Sequence, residues 1–324
     1  MDYTMKIDLL SAFHDKDVQS ALQRFVELYE YTFPGRVAAY YVEGSYADAT
    51  AVQTSDVDIV VIFRTQAGDS SLSVDADQLW QQLSLPEEIE LDPTFVDETS
   101  LQEGVWPAMK FGGRLIYGED ICQRYPLLPL VEWTSDRMHA AYWLCLNVYQ
   151  RPIPFQLPLN FPDPDDEFFG YTRRTLLLSD GTEVPCTRDI IRTSGWAATA
   201  LLASQAGQYV ARKRDCQRLY RQYIGDEWST LLEDIYLYCR GEWQYLIPAD
   251  PTMRAKLRAI CERMLYFERH FLQLYRPYLL SQFRQAEGKQ LERAIWLQEN
   301  APWNGIEIQE ALQAARQRQQ KSLL

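Results

Sequence analysis

The stretch GSYADATAVQTSDVDIVVIF, residues 44–63, runs from a Gly-Ser pair through an Asp-x-Asp into a continuous apolar run. Side chains alternate across a β-strand, so Asp56 and Asp58 should project from one face while Val57 and Ile59 project from the other. Two like charges held side by side repel each other, and both stay ionised at low cost only if a cation lies between them or water reaches both. The stretch therefore predicts a buried strand that begins with a carboxylate pair suited to a cation.

The pair Gly44 and Ser45 precedes this strand and predicts a loop that can approach an anion. Glycine has no side chain to obstruct a ligand, so backbone N–H groups and one hydroxyl can come close to a phosphate. Beside two carboxylates that can hold Mg²⁺, such a loop suggests a site for a nucleoside triphosphate, in which the metal joins protein oxygens to phosphate oxygens. Each motif alone is common in ordinary turns, and their combination at this spacing is more specific.

The segments around this stretch predict an α/β block. Apolar residues at helical spacing predict a helix over 16–31 that ends near Phe33-Pro34-Gly35. Strand-like runs follow at 37–44, 56–63 and 88–96, with a helix around 76–84 and a short strand or turn at 114–120.

Beyond about residue 125 the apolar pattern becomes helical. The predicted helices cover 133–149, 189–207, 212–223, 226–240, 252–283 and 306–320. In the long one, apolar residues recur every three or four positions and predict a buried stripe: Leu257, Ile260, Met264, Phe267, Phe271 and Leu274. Asp180-Gly181, between two of the helices, predicts a β-hairpin.

Composition sets limits on the class of protein. The 324 residues are 47% hydrophobic, which is ample for a packed core, and we find neither a signal peptide nor an apolar run of membrane-spanning length. Six cysteines without a Cys-x-x-Cys pair argue against a zinc site and a disulfide framework and favour a reducing cytoplasm. The net charge of -13 disfavours nucleic acid and anionic membranes as partners, whereas a cationic or polyhydroxylated small molecule is accommodated more easily.

Residues 44–63 resemble the nucleotidyltransferase superfamily of the DNA polymerase β type, whose signature is Gly-Ser, a short helical segment, and Asp-x-Asp on a strand. Within it, the spacing from Gly-Ser to Ser-Asp-x-Asp is most similar to that of the aminoglycoside adenylyltransferases that modify streptomycin and spectinomycin. The resemblance implies an α+β fold, in which a mixed-sheet catalytic domain at 1–125 is followed by an all-helical domain at 126–324 that helps to bind nucleotide and substrate.

The resemblance also implies further site residues. A third carboxylate on the next strand completes the family's site, and in IELDPTFVDE the match is Glu90, which is followed by the acidic pair Asp97 and Glu98. Asp92 shares the parity of Glu90 and stays an alternative, although Pro93 suggests that the strand bends there.

The segment GQYVARKRDCQRLY, residues 207–220, resembles the family's basic segment, in which a lysine contacts the nucleotide phosphates. Lys213 is the nearest match. Because one extra residue follows Gly207, Arg212 could take that place, and a solvated basic turn is the non-functional alternative.

The mechanism that the resemblance implies is in-line attack of an acceptor hydroxyl on the α-phosphorus of ATP. Asp56 and Asp58 would hold Mg²⁺, Glu90 would be the general base and a ligand to a second Mg²⁺, and Gly44 and Ser45 would hold the β- and γ-phosphates. The expected acceptor is a small hydroxylated molecule such as an aminoglycoside. The rival interpretations are adenylylation of a protein and a non-catalytic nucleotide-binding protein of the same fold.

An acidic and aromatic insert is the candidate site for a cationic acceptor, with a solvated linker as its alternative. It comprises Asp163, Asp165, Asp166, Glu167, Phe168, Phe169 and Tyr171. We expect the remaining conspicuous residues to be structural, because no histidine pair has ligand spacing and the tryptophans lie on apolar helix faces. They are His14, His139, His270, Trp133, Trp196, Trp228, Trp243 and the turn Gly118-Glu119-Asp120, for which the family resemblance leaves a minor nucleotide role as the alternative.

Overall fold

The computed structural model describes residues 7–64, 72–82, 89–154, 157–178 and 181–322. The chain divides into two compact units, one of Met1–Pro129 with Ala211–Lys213 and one of Leu130–Val210 with Arg214–Leu324. The division predicted from the sequence lies between residues 125 and 126, with no return of the chain to the first unit.

A four-stranded mixed sheet lies at the centre of the first unit. Its strands are β1 (Val37–Val42), β2 (Val57–Phe63), β3 (Leu91–Asp97) and β4 (Arg114–Gly118), in the order β3-β2-β1-β4. β1 pairs antiparallel with both β2 and β4, whereas β2 and β3 are parallel. The helices of this unit are α1 (Lys16–Thr32), α2 (Gly44–Ala47), α3 (Leu72–Gln82) and α4 (Pro107–Gly112). The mixed α/β organisation predicted for this part of the chain is confirmed.

The two central strands are covered on both faces. Every residue of β1 is buried, and in β2 only Asp58 is not fully buried. On one face Ile59, Val61 and Phe63 join the apolar cluster that contains α1, and on the other Val60 and Ile62 join a second cluster. Asp58 shares the parity of Val60 and Ile62, so its carboxylate belongs to the face opposite α1. Burial of the apolar side chains, at about 1.5–3 kcal/mol each, fixes the register and therefore this direction.

The predicted segments of this unit are observed with small shifts at their ends. The helix predicted at 16–31 is α1, whose first turn is capped by Asp15 through hydrogen bonds from the N–H groups of Asp17 and Val18. The predicted strand at 88–96 is β3, which begins three residues later. Residue 88 and the predicted end of the helix at 83–84 lie outside the described residues.

The turn Gly118-Glu119-Asp120 makes structural contacts at the end of β4. Gly118 has φ +88°, and a Cβ there would lie 2.3 Å from the carbonyl oxygen of Ala38, so a larger residue would push β4 away from β1. The Tyr41 hydroxyl donates to Asp120 at 3.0 Å. These contacts fix the end of β4 to the central strand.

The second unit is helical, apart from a hairpin of β5 (Thr175–Leu177) and β6 (Glu183–Pro185). Its helices are α5 (Leu130–Asn147), α6 (Arg188–Ala206), α7 (Cys216–Tyr223), α8 (Ser229–Asp234), α9 (Pro251–Gln285), α10 (Gly288–Asn300) and α11 (Ile306–Ser322). A π-helical segment, Ile235–Glu242, continues α8. The predicted hairpin is confirmed, although Asp180 itself lies outside the described residues, and α10 is an addition to the predicted helices. No helix in the described ranges is both long and apolar enough to cross a membrane.

The helix α9 carries the apolar stripe that its sequence predicts. Leu257, Ile260, Met264, Phe267 and Phe271 are buried, and Leu274 packs against them as a partly buried residue. Trp133 is buried, and Trp196, Trp228 and Trp243 are partly buried against the same cluster, so the structural interpretation of the tryptophans is confirmed.

His139 is a core residue. Its side chain is 1% exposed and its Nδ1 lies 2.9 Å from the Tyr275 hydroxyl. Burial, assisted by Arg293, lowers the pKa of His139 to about 3, so the imidazole is neutral at physiological pH.

A buried ion pair links the segment that follows α5 to α9. Arg151 Nη2 lies 2.7 Å from Glu268 Oε2, and the two side chains are 4% and 1% exposed. Tyr171 donates to the same carboxylate at 2.6 Å, and Arg151 also donates to the carbonyl oxygen of Cys145. Burial alone lowers the pKa of Arg151, but the adjacent Glu268 carboxylate more than offsets this and raises it. Both charges are therefore held in the core by hydrogen bonds.

Candidate functional site

The loop between β1 and β2 begins with a left-handed residue, Gly44, at φ +65°. The N–H of Glu43, just before it, donates to the carbonyl oxygen of Asp58 at 2.9 Å, and Trp106 Nε1 donates to the Glu43 carboxylate at 2.8 Å. Farther along, the side chain of Thr50 donates to Asp48 and the N–H of Val52 donates to the Ser55 hydroxyl. The loop is thus anchored at its start and closed by its own polar side chains.

Gly44 is packed directly against Asp58. A Cβ on residue 44 would lie 2.2 Å from Asp58 Oδ2 and 3.3 Å from Asp58 Cγ. Only glycine leaves room for the carboxylate in this position and also adopts the positive φ without strain. The Gly-Ser pair and the Asp-x-Asp of the sequence therefore meet in one place.

Three carboxylates come together where β2 and β3 begin. Asp56 immediately precedes β2, Asp58 is its second residue, and Asp92, the second residue of β3, is paired with Asp58 in the parallel register. One oxygen from each carboxylate lies within 4.8 Å of the other two. Parallel pairing brings the equivalent ends of two strands side by side, which is why residues so far apart in sequence converge here.

Glu90, the third carboxylate favoured by the sequence, is not a member of this group. Among the residues that the structure describes, the group with metal-binding spacing contains Asp92 in its place. Glu90 is exposed and precedes β3, and its carbonyl oxygen accepts a hydrogen bond from the N–H of Val57 at 2.9 Å. Pro93 does not bend the chain away from the sheet, because β3 is an edge strand and an edge tolerates the missing N–H. The geometry thus favours the alternative, Asp92.

The donor set of the cluster suits a hard divalent cation. Mg²⁺ prefers oxygen ligands at 2.0–2.1 Å in an octahedral arrangement, which places neighbouring ligand oxygens about 3 Å apart and opposite ones about 4 Å apart. Carboxylate oxygens within 4.8 Å of one another can reach such positions with small side-chain rotations. Asp56, Asp58 and Asp92 therefore fit a magnesium site.

The electrostatics of Asp58 reflect this crowding. Its side chain is 27% exposed. Burial raises the pKa of Asp58, Lys213 lowers it, and the neighbouring carboxylates of Asp56 and Asp92 raise it, with a net upward shift. A positive charge among the three carboxylates would remove the repulsion that contributes to this shift.

Of the two basic candidates, Lys213 is the one seen next to the carboxylates. Its Nζ lies 3.6 Å from Asp58 Oδ2, and its side chain is 70% exposed. Arg212 is also exposed, and its Cγ lies 3.8 Å from where a Cβ of Gly112 would be. The segment that carries both residues, Ala211–Lys213, groups with the first unit.

The acidic pair that follows Glu90 in the family-like pattern has structural partners. Asp97 accepts hydrogen bonds from the N–H and hydroxyl of Ser73 at the start of α3, at 3.2 and 2.7 Å. Glu98 accepts one from the Tyr125 hydroxyl at 2.9 Å. Both carboxylates thus fix neighbouring segments within the first unit.

The acidic and aromatic insert is tied to its own unit. Asp163 pairs with Arg173 at 2.6 Å, Asp166 accepts from the N–H groups of Phe168 and Gly170, and Glu167 pairs with Arg254 of α9. Phe168, Phe169 and Tyr171 are buried. These contacts describe an ordered loop that is held to α9 and whose aromatic side chains are buried. The insert is therefore not the solvated linker predicted as the alternative, and its buried aromatic rings also count against an acceptor site.

Trp106 is a further residue beside the site, and its sequence pattern does not indicate this position. Its hydrogen bond to Glu43 links α4 to the residue just before Gly44. In the sequence Trp106 is an aromatic residue directly before Pro107, a pattern that marks the start of a helix. This pattern gives no indication of a contact with a residue more than sixty positions away.

Replacing Gly44 with Ala is expected to lower the rate of the nucleotidyl transfer predicted from the sequence by about 10- to 100-fold. The reason is that the new methyl group displaces the Asp58 carboxylate by several tenths of an ångström or more. The matched control is Gly35→Ala. Gly35 has φ +68° but nothing within 4 Å of a Cβ, so this variant adds the backbone strain, about 1 kcal/mol, without touching a carboxylate. Steady-state rates and denaturant unfolding of both variants separate the two effects. Equal activities for the two variants would contradict the packing argument.

Comparison with known proteins supports a nucleotidyltransferase domain in the first part of the chain. Residues 18–102 match the model of the nucleotidyltransferase domain, which confirms the resemblance read from the sequence. No curated protein matches the chain. Among solved structures, a spectinomycin adenyltransferase, AAD(9) from Enterococcus faecialis, crystallised with ATP and spectinomycin, is similar over 78% of this chain and 99% of its own, with 12% sequence identity and a TM-score of 0.45.

Proposed function

We propose that this chain, which carries a nucleotidyltransferase domain at residues 18–102, transfers AMP from ATP to a hydroxyl group of a small molecule and releases pyrophosphate. The observation that carries the proposal is the cluster of Asp56, Asp58 and Asp92, in which one oxygen of each carboxylate lies within 4.8 Å of the other two, beside the Gly44 turn. In a domain of this class, such a cluster supports metal-dependent attack on a nucleotide phosphate.

Each side chain has a proposed role. Asp56, Asp58 and Asp92 would hold Mg²⁺, which when bound neutralises charge on the phosphates and orients them for in-line displacement. Asp92, the most exposed of the three, would also accept the proton of the attacking hydroxyl, the role predicted from the sequence for Glu90. Gly44 and Ser45 would contact the β- and γ-phosphates, and Lys213 would offset the charge that gathers on the departing pyrophosphate.

The acceptor that we propose is a small hydroxylated molecule, cationic as in an aminoglycoside. The net charge of -13 favours the approach of a cation over that of a nucleic acid. The cytoplasm is the proposed compartment, because the six cysteines are all unpaired and buried.

Pyrophosphate release from ATP and Mg²⁺ tests the reaction, with a panel of streptomycin, spectinomycin, other aminoglycosides and simple polyols as acceptors. The decisive variants are Asp92→Asn and Glu90→Gln, which remove one carboxylate each and leave the side-chain volume unchanged. We expect at least about a 100-fold loss for Asp92→Asn and less than about a threefold change for Glu90→Gln.

The reverse ranking would return the role to Glu90. Absence of release across the whole panel would count against a small acceptor of these classes, and labelled ATP in a cell lysate would then show whether label appears on a protein band. If ATP and Mg²⁺ bind but neither assay shows transfer, the non-catalytic interpretation replaces this proposal.

A further inference from the structure

The contact between Lys213 and Asp58 involves an oxygen that a metal ion would need. Lys213 Nζ lies 3.6 Å from Asp58 Oδ2, and Asp58 is one of the three carboxylates of the cluster. The same Oδ2 is the atom that a Cβ on residue 44 would meet at 2.2 Å. The ammonium group therefore approaches the carboxylate cluster at a partly buried side chain.

The two partners differ in their freedom to move. The Lys213 side chain is 70% exposed, whereas that of Asp58 is 27% exposed and lies on a strand whose other residues are buried. A lysine is a compact point charge on a flexible stem, so it can leave one anion and meet another without repacking. Of the two, Lys213 is the group that can change partner.

The charges make an exchange of partners favourable. Three carboxylates carry three negative charges when ionised, and Lys213 supplies one positive charge, so the cluster still attracts a divalent cation. A divalent cation on Asp58 would repel the ammonium group at this distance. The metal-bound phosphates of a nucleotide would at the same time offer new hydrogen-bond acceptors to the Lys213 ammonium group.

We propose that Lys213 acts as an exchangeable counter-cation: it neutralises Asp58 until a divalent cation binds, and it then moves to the nucleotide phosphates. This inference rests on the proposed function. Lys213 then weakens the binding of the free metal ion and strengthens the binding of the metal–nucleotide complex. The site thereby disfavours metal alone and favours the metal when it arrives with nucleotide.

The inference predicts effects of opposite sign for one substitution. In Lys213→Met, Mn²⁺ should bind about three- to tenfold more tightly to the nucleotide-free protein, because a competing unit charge a few ångströms away is gone. The same variant should bind the non-reactive analogue α,β-methylene-ATP with Mg²⁺ about tenfold more weakly. If Lys213 had only a structural role, its substitution would change neither the affinity for Mn²⁺ nor that for the analogue. If only the overall charge mattered, substitution of a neighbouring cation would change both affinities equally.

The experiment uses the full chain and measures binding, not activity. Free Mn²⁺ is followed by electron paramagnetic resonance, since Mn²⁺ accepts the same oxygen ligands as Mg²⁺, and the analogue is titrated by calorimetry. Arg212→Met is the matched control, because it removes the adjacent exposed cation and the same unit of charge. Asp58→Asn reports whether the Mn²⁺ that binds is at the cluster.

The expected result is tighter Mn²⁺ and weaker analogue binding in Lys213→Met, with less than a twofold change of either in Arg212→Met. Unchanged or weaker Mn²⁺ binding in Lys213→Met overturns the inference, as does equal tightening in Arg212→Met or unchanged analogue binding in Lys213→Met. Mn²⁺ binding that is absent, or that is unaffected by Asp58→Asn, overturns the proposed metal site as well, so the two failures are distinguishable.

Discussion

Asp58→Asn is expected to lower the rate of nucleotidyl transfer by about 10³-fold or more without destabilising the protein. Asp58 joins the two other carboxylates of the cluster, so an amide in its place removes one metal ligand and one negative charge at once. Asparagine has nearly the same volume as aspartate. Because the substitution removes one of three like charges, it relieves repulsion in the folded state. Activity and stability should therefore respond in different ways to the same substitution.

The measurements are pyrophosphate release and denaturant unfolding of the same preparations. The control is Asp75→Asn on α3, an exposed carboxylate of the same unit that lies outside the cluster. It should retain the wild-type rate. A fully active Asp58→Asn variant would eliminate the proposed metal mechanism, and a variant that loses activity together with several kcal/mol of stability would point to a folding role for Asp58.

Glu268→Gln is expected to reduce the free energy of unfolding by about 3–5 kcal/mol. The substitution leaves the Arg151 guanidinium in the core without its anion, and removal of one partner of a buried pair leaves an uncompensated charge. Tyr171 also loses the charged acceptor of its 2.6 Å hydrogen bond. Denaturant unfolding, followed by tryptophan fluorescence, measures the loss.

Two comparisons make this result specific. The double variant Arg151→Met with Glu268→Leu replaces the pair by apolar residues and should recover most of the lost stability. Glu167→Gln breaks the exposed pair with Arg254, whose side chains are 50% and 35% exposed, and should cost less than about 1 kcal/mol. Equal losses for Glu268→Gln and Glu167→Gln would contradict the importance assigned to burial.

The sequence is sufficient for the carboxylate pair, because the evidence for it is local. The apolar run of residues 59–63 predicts the strand, and the buried pattern of β2 agrees. The common face of Asp56 and Asp58 follows from the alternation of side chains along any strand. The positive φ of Gly44 also has a local cause, since glycine adopts it at no steric cost. Features decided within a dozen residues were therefore open to prediction.

The third carboxylate depended on information that is not local. Glu90 and Asp92 have the same parity, and only the parallel register, in which Asp58 faces Asp92, separates them. Register between strands that are joined by a helical crossover is set by packing of whole layers, which no single segment encodes. The helix α10 was not predicted for a different reason. Its apolar residues Leu291, Ala294 and Ile295 have helical spacing, but they follow Gly288, and a glycine at this position resembles a linker.

The parallel pairing of β2 with β3 has a consequence for the order in which the protein assembles. β1 and β2 can form their antiparallel contacts early, but the cluster is complete only when the crossover through α3 has closed and β3 has docked. Until then a nascent chain carries Asp56 and Asp58 without their third partner. Docking of β3 brings in a third carboxylate and must overcome its repulsion. A divalent cation that binds only the finished cluster would therefore stabilise the docked position of β3 and shift the folding equilibrium by mass action.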